Sequence, residues 1–172
     1  KSVELFASDK DKIAVMNLLM ENELIQNSGK YIVVHMRNWH WQAKNISMEV
    51  WFDVFAKIFE ERDDFKIVTI GGPTDHFVDH PNFVDLRNDK LTSQQMMLLC
   101  EGAECFVGID SGPFQCAAAS KTHIIALLTH LLPERILPYR NGIMGSNCTT
   151  IQTLEDCKGC NDLQVRPVRQ LK

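Results

Sequence analysis

Long apolar runs are missing from this chain. None approaches the roughly 20 residues needed to cross a bilayer, which argues against a membrane-spanning helix. Strong charge of one sign is missing too. The net charge is -4 with both signs scattered, so there is no basic patch of the kind that nucleic acid or an anionic membrane needs. No internal repeat and no low-complexity linker interrupts the sequence. No signal-peptide pattern precedes Val3, and the first residue is Lys1 rather than Met. The expectation is a piece of a longer protein, cut at a domain boundary. Without a secretory leader the expected compartment is the cytoplasm, and no disulfide framework is expected.

What is present is an ordinary globular composition, 45% apolar and 23% charged, over 172 residues. That length suits one domain, and it can bury a core without staples. Residues 1–29 read as a leading helix and linker, 30–160 as the core, and 161–172 as a tail. From Ser8 to Ile25, apolar residues at Ile13, Met16, Leu19, Met20 and Leu24 have helical spacing, with Ser8 or Asp9 as N-cap. The run Lys30–Met36 is a short β-branched strand. Ser47–Arg62 is an amphipathic helix capped by Ser47, with Glu49 in its first turn. Strands are predicted at Phe65–Gly72, Asn82–Leu86, Cys105–Ile109 and His123–Leu128, with a last one at Cys148–Gln152. Helices are predicted at Thr92–Ala103 and Gly112–Lys121, the latter with Pro113 in its first turn, where a missing N–H does no harm. Strands alternating with helices predict an α/β, Rossmann-like three-layer domain with a mostly parallel sheet.

In such sheets ligands bind beyond the carboxyl ends of the strands. Those ends carry Arg37–Asn45, Gly71–Asp75, Asp110–Pro113 and Thr129–Arg135. Asp110, Ser111 and Gly112 open a helix, where free N–H groups and the dipole suit a phosphate. Gly112 lets a backbone come close, and Ser111 adds a hydroxyl. Asp110 is read either as an acceptor for a sugar hydroxyl or as the helix N-cap. Asp75 is read either as a carboxylate near a ribose or as a plain turn aspartate. Arg37 is read as reaching a phosphate or the acceptor, or as an exposed arginine. His35, at the end of a buried strand, is read as a satisfied core residue. Trp39 and Trp41 are read as stacking on a sugar or a partner domain, or as packing on this domain.

The segment "GGPTD", followed by "LLCEGAECFVGIDSGPFQCAAASKTHIIALL", resembles the C-terminal nucleotide-sugar domain of family 9 glycosyltransferases, the ADP-heptose:lipopolysaccharide heptosyltransferases and their relatives. The family pattern is roughly Asp-Ser/Thr-Gly-Pro-x-His-x-Ala-Ala-Ala. Asp110, Ser111, Gly112, Pro113, Ala117, Ala118 and Ala119 fit it. Upstream, "YIVVHMRNWHWQAKNIS" fits a strand, a loop ending in a lysine, and a helix, with Lys44 at the lysine. The likeness runs from about Tyr31 to Cys160. Two departures stand out: Gln115 replaces the family histidine, and the loop after Arg37 is aromatic rather than glycine-rich.

The resemblance implies the C-terminal half of a GT-B architecture. It implies that Lys44 meets a diphosphate, that Ser111 and Gly112, with the N–H groups that follow, clamp the second phosphate, that Arg37 reaches a phosphate or the acceptor, and that Asp75, Asp110, Pro113 and Gln115 lie along the donor. It implies inverting transfer of a sugar, heptose in the family, from a nucleoside diphosphate sugar to a glycan or lipopolysaccharide-core acceptor. The base would come from an N-terminal acceptor domain absent here, so this piece alone is expected to be inactive, with no catalytic residue of its own. No cofactor is required, and the full-length bacterial protein would sit in the cytoplasm, peripheral to the inner membrane. The competing reading is a degenerate, non-catalytic nucleotide-sugar or interaction module, which Gln115 favours. A sugar-nucleotide epimerase would want a different set of histidine and glutamate residues.

The six cysteines fall into two groups. Cys100, Cys105 and Cys116 lie in apolar segments and read as small buried hydrophobes. Cys157 and Cys160 have the two-residue gap common in structural zinc or iron sites, with Cys148 as a third candidate ligand. Some family relatives that modify autotransporters bind iron through a cysteine finger. Reduced thiols, or one Cys157–Cys160 pair, are the open alternative.

Overall fold

The computed structural model describes residues 4–25, 30–37, 45–62, 64–129, 131–140 and 142–152. Lys44, Trp39, Trp41, Cys157 and Cys160 lie outside the described residues. The elements are α1 (Asp9–Glu21), β1 (Lys30–His35), α2 (Met48–Glu61), β2 (Phe65–Thr69), β3 (Phe83–Asp85), α3 (Ser93–Glu101), β4 (Cys105–Gly108), α4 (Gly112–Ala119), β5 (His123–Leu128), α5 (Pro133–Ile136), β6 (Tyr139–Arg140), β7 (Ile143–Met144) and β8 (Cys148–Gln152).

Six strands form one sheet in the order β3-β2-β1-β4-β5-β8. Every pairing in it is parallel. Parallel strands are buried on both faces, and so β1 reads as an unbroken apolar run. The strand order reverses between β1 and β4, which creates a crevice at their carboxyl ends. A short antiparallel hairpin, β6–β7, stands apart from the sheet.

One face carries α1, α3 and α4. Val15 and Leu19 of α1, Leu99 of α3, and Phe114, Ala117 and Ala118 of α4 pack there against Val33, Phe106 and Ile124. The alanines let α4 lie close to the sheet. On the other face, Trp51 and Phe55 of α2 pack on Ile32, Val34, Ile67 and Phe83. The Phe55 and Phe83 rings meet edge to face at 4.9 Å, a favoured aromatic geometry. Beyond α2, a groove of about 990 Å³ runs over Val107, Leu127 and Ile151.

Caps close the helix starts much as local chemistry requires. Ser8 and Asp11 form a reciprocal capping box on α1, and Thr92 and Gln95 form another on α3. The Asp9–Lys10–Asp11 string therefore serves the start of α1. The helix expected between Ser8 and Ile25 is α1, with Ser8 as its N-cap. Of the apolar residues that gave it helical spacing, Leu19, and Leu24 beyond its end, are buried, while Ile13, Met16 and Met20 are 62%, 51% and 54% exposed. Val15 is the second α1 residue in the core. One sequence alternative needs correcting: the N-cap of α4 is Ser111, not Asp110. The Ser111 hydroxyl accepts from the Phe114 N–H at 3.3 Å. Cys100 and Cys116 are buried as expected, and Cys105 is half-buried, its thiol pushed up to about 11 by burial. Among the described residues no helix is long and apolar enough to cross a membrane.

Candidate functional site at the carboxyl ends of the strands

The crevice collects residues from three strand ends. β1 ends at His35, which pairs with Gly108 of β4 across the point where the strand order reverses. A side chain at Gly108 would be tightly placed. A Cβ there would lie 3.0 Å from the Phe106 ring and 3.3 Å from the His35 Cβ. So the glycine lets the imidazole settle over the end of the sheet.

The His35 ring is 3% exposed and joins two loops. Its Nδ1 lies 2.9 Å from the Ser111 Oγ, and its Nε2 lies 3.2 Å from the Asp75 Oδ2. The same Asp75 oxygen accepts from the Gly72 N–H at 2.8 Å. Asp75 is thus a turn aspartate and also a partner of His35. Gly71 makes the turn feasible. Its φ is +136°, and a Cβ there would stand 2.4 Å from the Asp75 carboxylate and 3.0 Å from the histidine ring. Both the backbone conformation and the space demand glycine. Gly71→Ala should cost about 1–3 kcal/mol of stability. It should also separate Asp75 from His35, seen as a changed His35 imidazole signal by NMR. An unchanged signal and an unchanged melting point would refute this.

The Asp75 loop is anchored from two further sides. The His76 N–H donates to the Met36 carbonyl at 2.9 Å. An Arg87 N–H donates to the Asp75 carbonyl at 2.5 Å. Arg87 is itself fixed by a two-pronged pair with Asp85, both contacts at 2.7 Å, and it lies over the Phe77 ring. The hydrogen bonds from Arg87 hold the Asp85 carboxyl below its usual range. Next to this loop is a cavity of about 290 Å³, lined by Gly71, Pro73, Leu86, Asn88, Leu91 and Met96 among others.

On the β4 side the start of α4 faces the crevice. Pro113 has no N–H, and those of Phe114 and Gln115 bond to the Ser111 hydroxyl and carbonyl. That leaves the Gly112 N–H as the first-turn donor not used within the turn. The Cβ direction at Gly112 opens onto empty space, with nothing within 4 Å. Gln115 is exposed in the same turn. An Arg37 N–H donates to the Asp110 carbonyl at 3.3 Å, so Arg37 reaches across from β1 to the β4 loop.

The structure therefore gathers Arg37, Asp75, Asp110, Ser111, Gly112, Pro113 and Gln115 along the ends of β1, β2 and β4. Sequence reading missed Arg87 as an anchor of the Asp75 loop. It also missed His35 as the link between two of the candidates. The signal for His35 was there: a polar side chain closing an otherwise apolar buried strand. Cys148 sits half-buried on β8. Among the described residues no cluster of three or more His, Cys, Asp or Glu side chains could hold a metal ion.

Residues 12–164 match the family model described as "Glycosyltransferase family 9 (heptosyltransferase)". No curated protein matches the sequence. Solved structures share the fold. A family 9 glycosyl transferase from Veillonella parvula superposes with a TM-score of 0.67 at 13% identity, covering 98% of this chain and 46% of that one. The ADP-heptose lps heptosyltransferase II of E. coli gives 0.61 at 16% identity, covering 88% and 46%. The dodecameric iron-containing heptosyltransferase TibC, solved with ADP-D-beta-D-heptose, gives 0.57 at 21% identity, covering 77% and 34%. This chain thus spans less than half the length of the structures it resembles.

Proposed function

The chain belongs to glycosyltransferase family 9, the heptosyltransferase family, and from that premise we propose that it is the donor-nucleotide half of an inverting sugar transferase. It would hold a nucleoside diphosphate sugar, with heptose as the sugar, while a glycan hydroxyl attacks the anomeric carbon. The observation that carries this reading is the position of the candidate residues. They surround the crevice where the strand order reverses, the place where open α/β sheets bind nucleotides.

In this reading the nucleoside occupies the cavity beside Gly71, and the Asp75 carboxylate accepts from a ribose hydroxyl. The diphosphate meets the Gly112 N–H and the positive end of the α4 dipole. Arg37 and Lys44 neutralise the charge that grows on the leaving diphosphate. Gln115 offers an uncharged amide to the sugar or diphosphate, and Asp110 an acceptor for a sugar hydroxyl. Ser111 acts from inside the protein, because its hydroxyl is turned to His35 and to the helix it caps. The base that deprotonates the acceptor, and the surface that binds it, come from outside these 172 residues. No step of this scheme requires a metal.

A second reading keeps the nucleotide site but drops the transfer. It rests on Gln115, which cannot carry the positive charge of the histidine that the family pattern has there. Sugar transfer by the full-length protein, assayed with and without Gln115→His, separates the two.

Calorimetric titration with ADP, UDP, GDP and CMP tests the site itself. One nucleotide should bind saturably, ADP being the expected one. Lys44→Ala should weaken it by about tenfold or more, the usual loss for a hydrogen bond to a charged group. No binding of any of the four would sink the proposal.

A further inference from the structure

We propose that His35 is a positioning residue that fixes the Asp75 carboxylate against the Ser111 N-cap, and so sets the span between the ribose and diphosphate ends of the site. The proposal rests on the nucleotide reading above. Asp75 leaves β2 and Ser111 leaves β4; β1 runs between these two strands. Each loop is tied to the end of β1 separately, the Asp75 loop through the His76 N–H and the Met36 carbonyl and the β4 loop through Arg37 and the Asp110 carbonyl. His35, at the end of β1, bonds to both.

The protonation pattern follows from the partners. An ionised carboxylate only accepts, so the Nε2 of His35 carries the hydrogen and donates to Asp75. Nδ1 then presents its lone pair and accepts from the Ser111 hydroxyl. The Ser111 oxygen in turn accepts from the Phe114 N–H. The result is one directed chain from the first turn of α4, through Ser111 and His35, to Asp75. Chains of this kind reinforce each other in a buried setting.

The same three residue types make hydrolytic triads, but the chemistry differs here. In a triad the serine bonds Nε2 and the aspartate bonds Nδ1. Here the ring is reversed. The Ser111 oxygen is also buried, and its lone pair is engaged by the helix it caps. His35 is itself too buried to reach a ligand. Its role is therefore exerted through its two neighbours.

Asn and Gln substitutions separate the two links. An Asn amide stands near where Nδ1 does and can keep Ser111 while losing Asp75. A Gln amide stands near where Nε2 does and can keep Asp75 while losing Ser111. The experiment measures Kd for ADP, and for ADP lacking both ribose hydroxyls, on the whole chain. Wild type, His35→Asn, His35→Gln and Asp75→Asn are compared, each with a thermal melt. Wild type should prefer ADP by about tenfold or more, as expected for hydrogen bonds to a charged group. His35→Asn and Asp75→Asn should nearly abolish that preference. His35→Gln should keep it while weakening both ligands by a similar factor.

A purely structural role for His35 would weaken both ligands alike and leave the ratio intact in every His35 variant; that result overturns the proposal. If either His35 variant fails to fold, the other decides through its own ratio. If both fail, the role of His35 is structural and the proposal is overturned; an undiminished preference in Asp75→Asn overturns it as well. Absence of ADP binding to wild type would instead bring down the nucleotide reading, and this inference with it.

Discussion

Arg140→Met should lower the stability of this domain by about 3 kcal/mol, read as a fall in the urea midpoint at unchanged slope. Arg140 sits at the start of the β6–β7 hairpin, yet its guanidinium serves the far end of α4. It donates to the carbonyls of Ala117 at 2.7 Å, Ala118 at 2.9 Å, Thr122 at 3.0 Å and Ser146 at 3.3 Å. The last carbonyls of a helix have no partner within the helix, and they carry the negative end of its dipole. One planar cation answers both needs. It also ties α4 to the segment that leads into β8. Burial disfavours the charged form of this cation and pulls its pKa down, with Cys148 acting weakly the other way.

Methionine keeps much of the stem's packing but removes every donor. Hydrogen bonds to a charged group contribute about 1.5–3 kcal/mol each when well buried. Arg140 is half-buried, so the sum is well below four such bonds. Arg140→Lys should recover little, because a point charge cannot reach carbonyls spread over this arc. A loss under about 0.5 kcal/mol would place Arg140 among ordinary surface residues and refute the hub.

Much of this architecture is legible in the sequence, for a physical reason. Strands buried on both faces must be apolar throughout, so runs such as Tyr31–Val34 and Ile67–Ile70 stand out between polar turns. Helix starts are legible where one capping residue stands alone, as Ser47 does. They are ambiguous where two stand side by side. Asp110 and Ser111 are both good caps, and the choice falls to Ser111 because the backbone turns there.

The face of α1 is ambiguous in another way. Apolar residues spread around this helix, and contact with α3 selects Val15 and Leu19. The helix alone cannot express that preference. The β6–β7 hairpin and α5 escaped notice because elements of two to four residues carry no period.

The candidate site divides along the same line. That Asp75, Ser111 and Gly112 follow strands is a local fact and can be read from the sequence. That His35 touches both Asp75 and Ser111 is not local, since the partners are 40 and 76 residues away. It depends on the register that sets His35 opposite Gly108. Strand order and register are decided by the whole sheet, so a residue-by-residue reading sees a core histidine and stops.

Phe106→Ala should have the largest effect of any substitution considered, about 3–5 kcal/mol, and it should reach the site. Phe106 is fully buried on β4, and its ring meets that of Phe114 edge to face at 6.2 Å. Phe114 belongs to the first turn of α4, where its N–H caps onto Ser111. Deleting the Phe106 ring therefore opens a cavity under the very turn that presents Gly112. Leu19→Ala is the control. It removes a core side chain on α1 and should cost about 2–5 kcal/mol, a comparable amount. With both variants held below their unfolding transitions, ADP affinity should fall for Phe106→Ala and hold for Leu19→Ala. Equal losses would mean that affinity tracks stability in general. No loss for Phe106→Ala would mean that the start of α4 is held by its Ser111 cap alone, with the aromatic pair beneath it contributing only to the core.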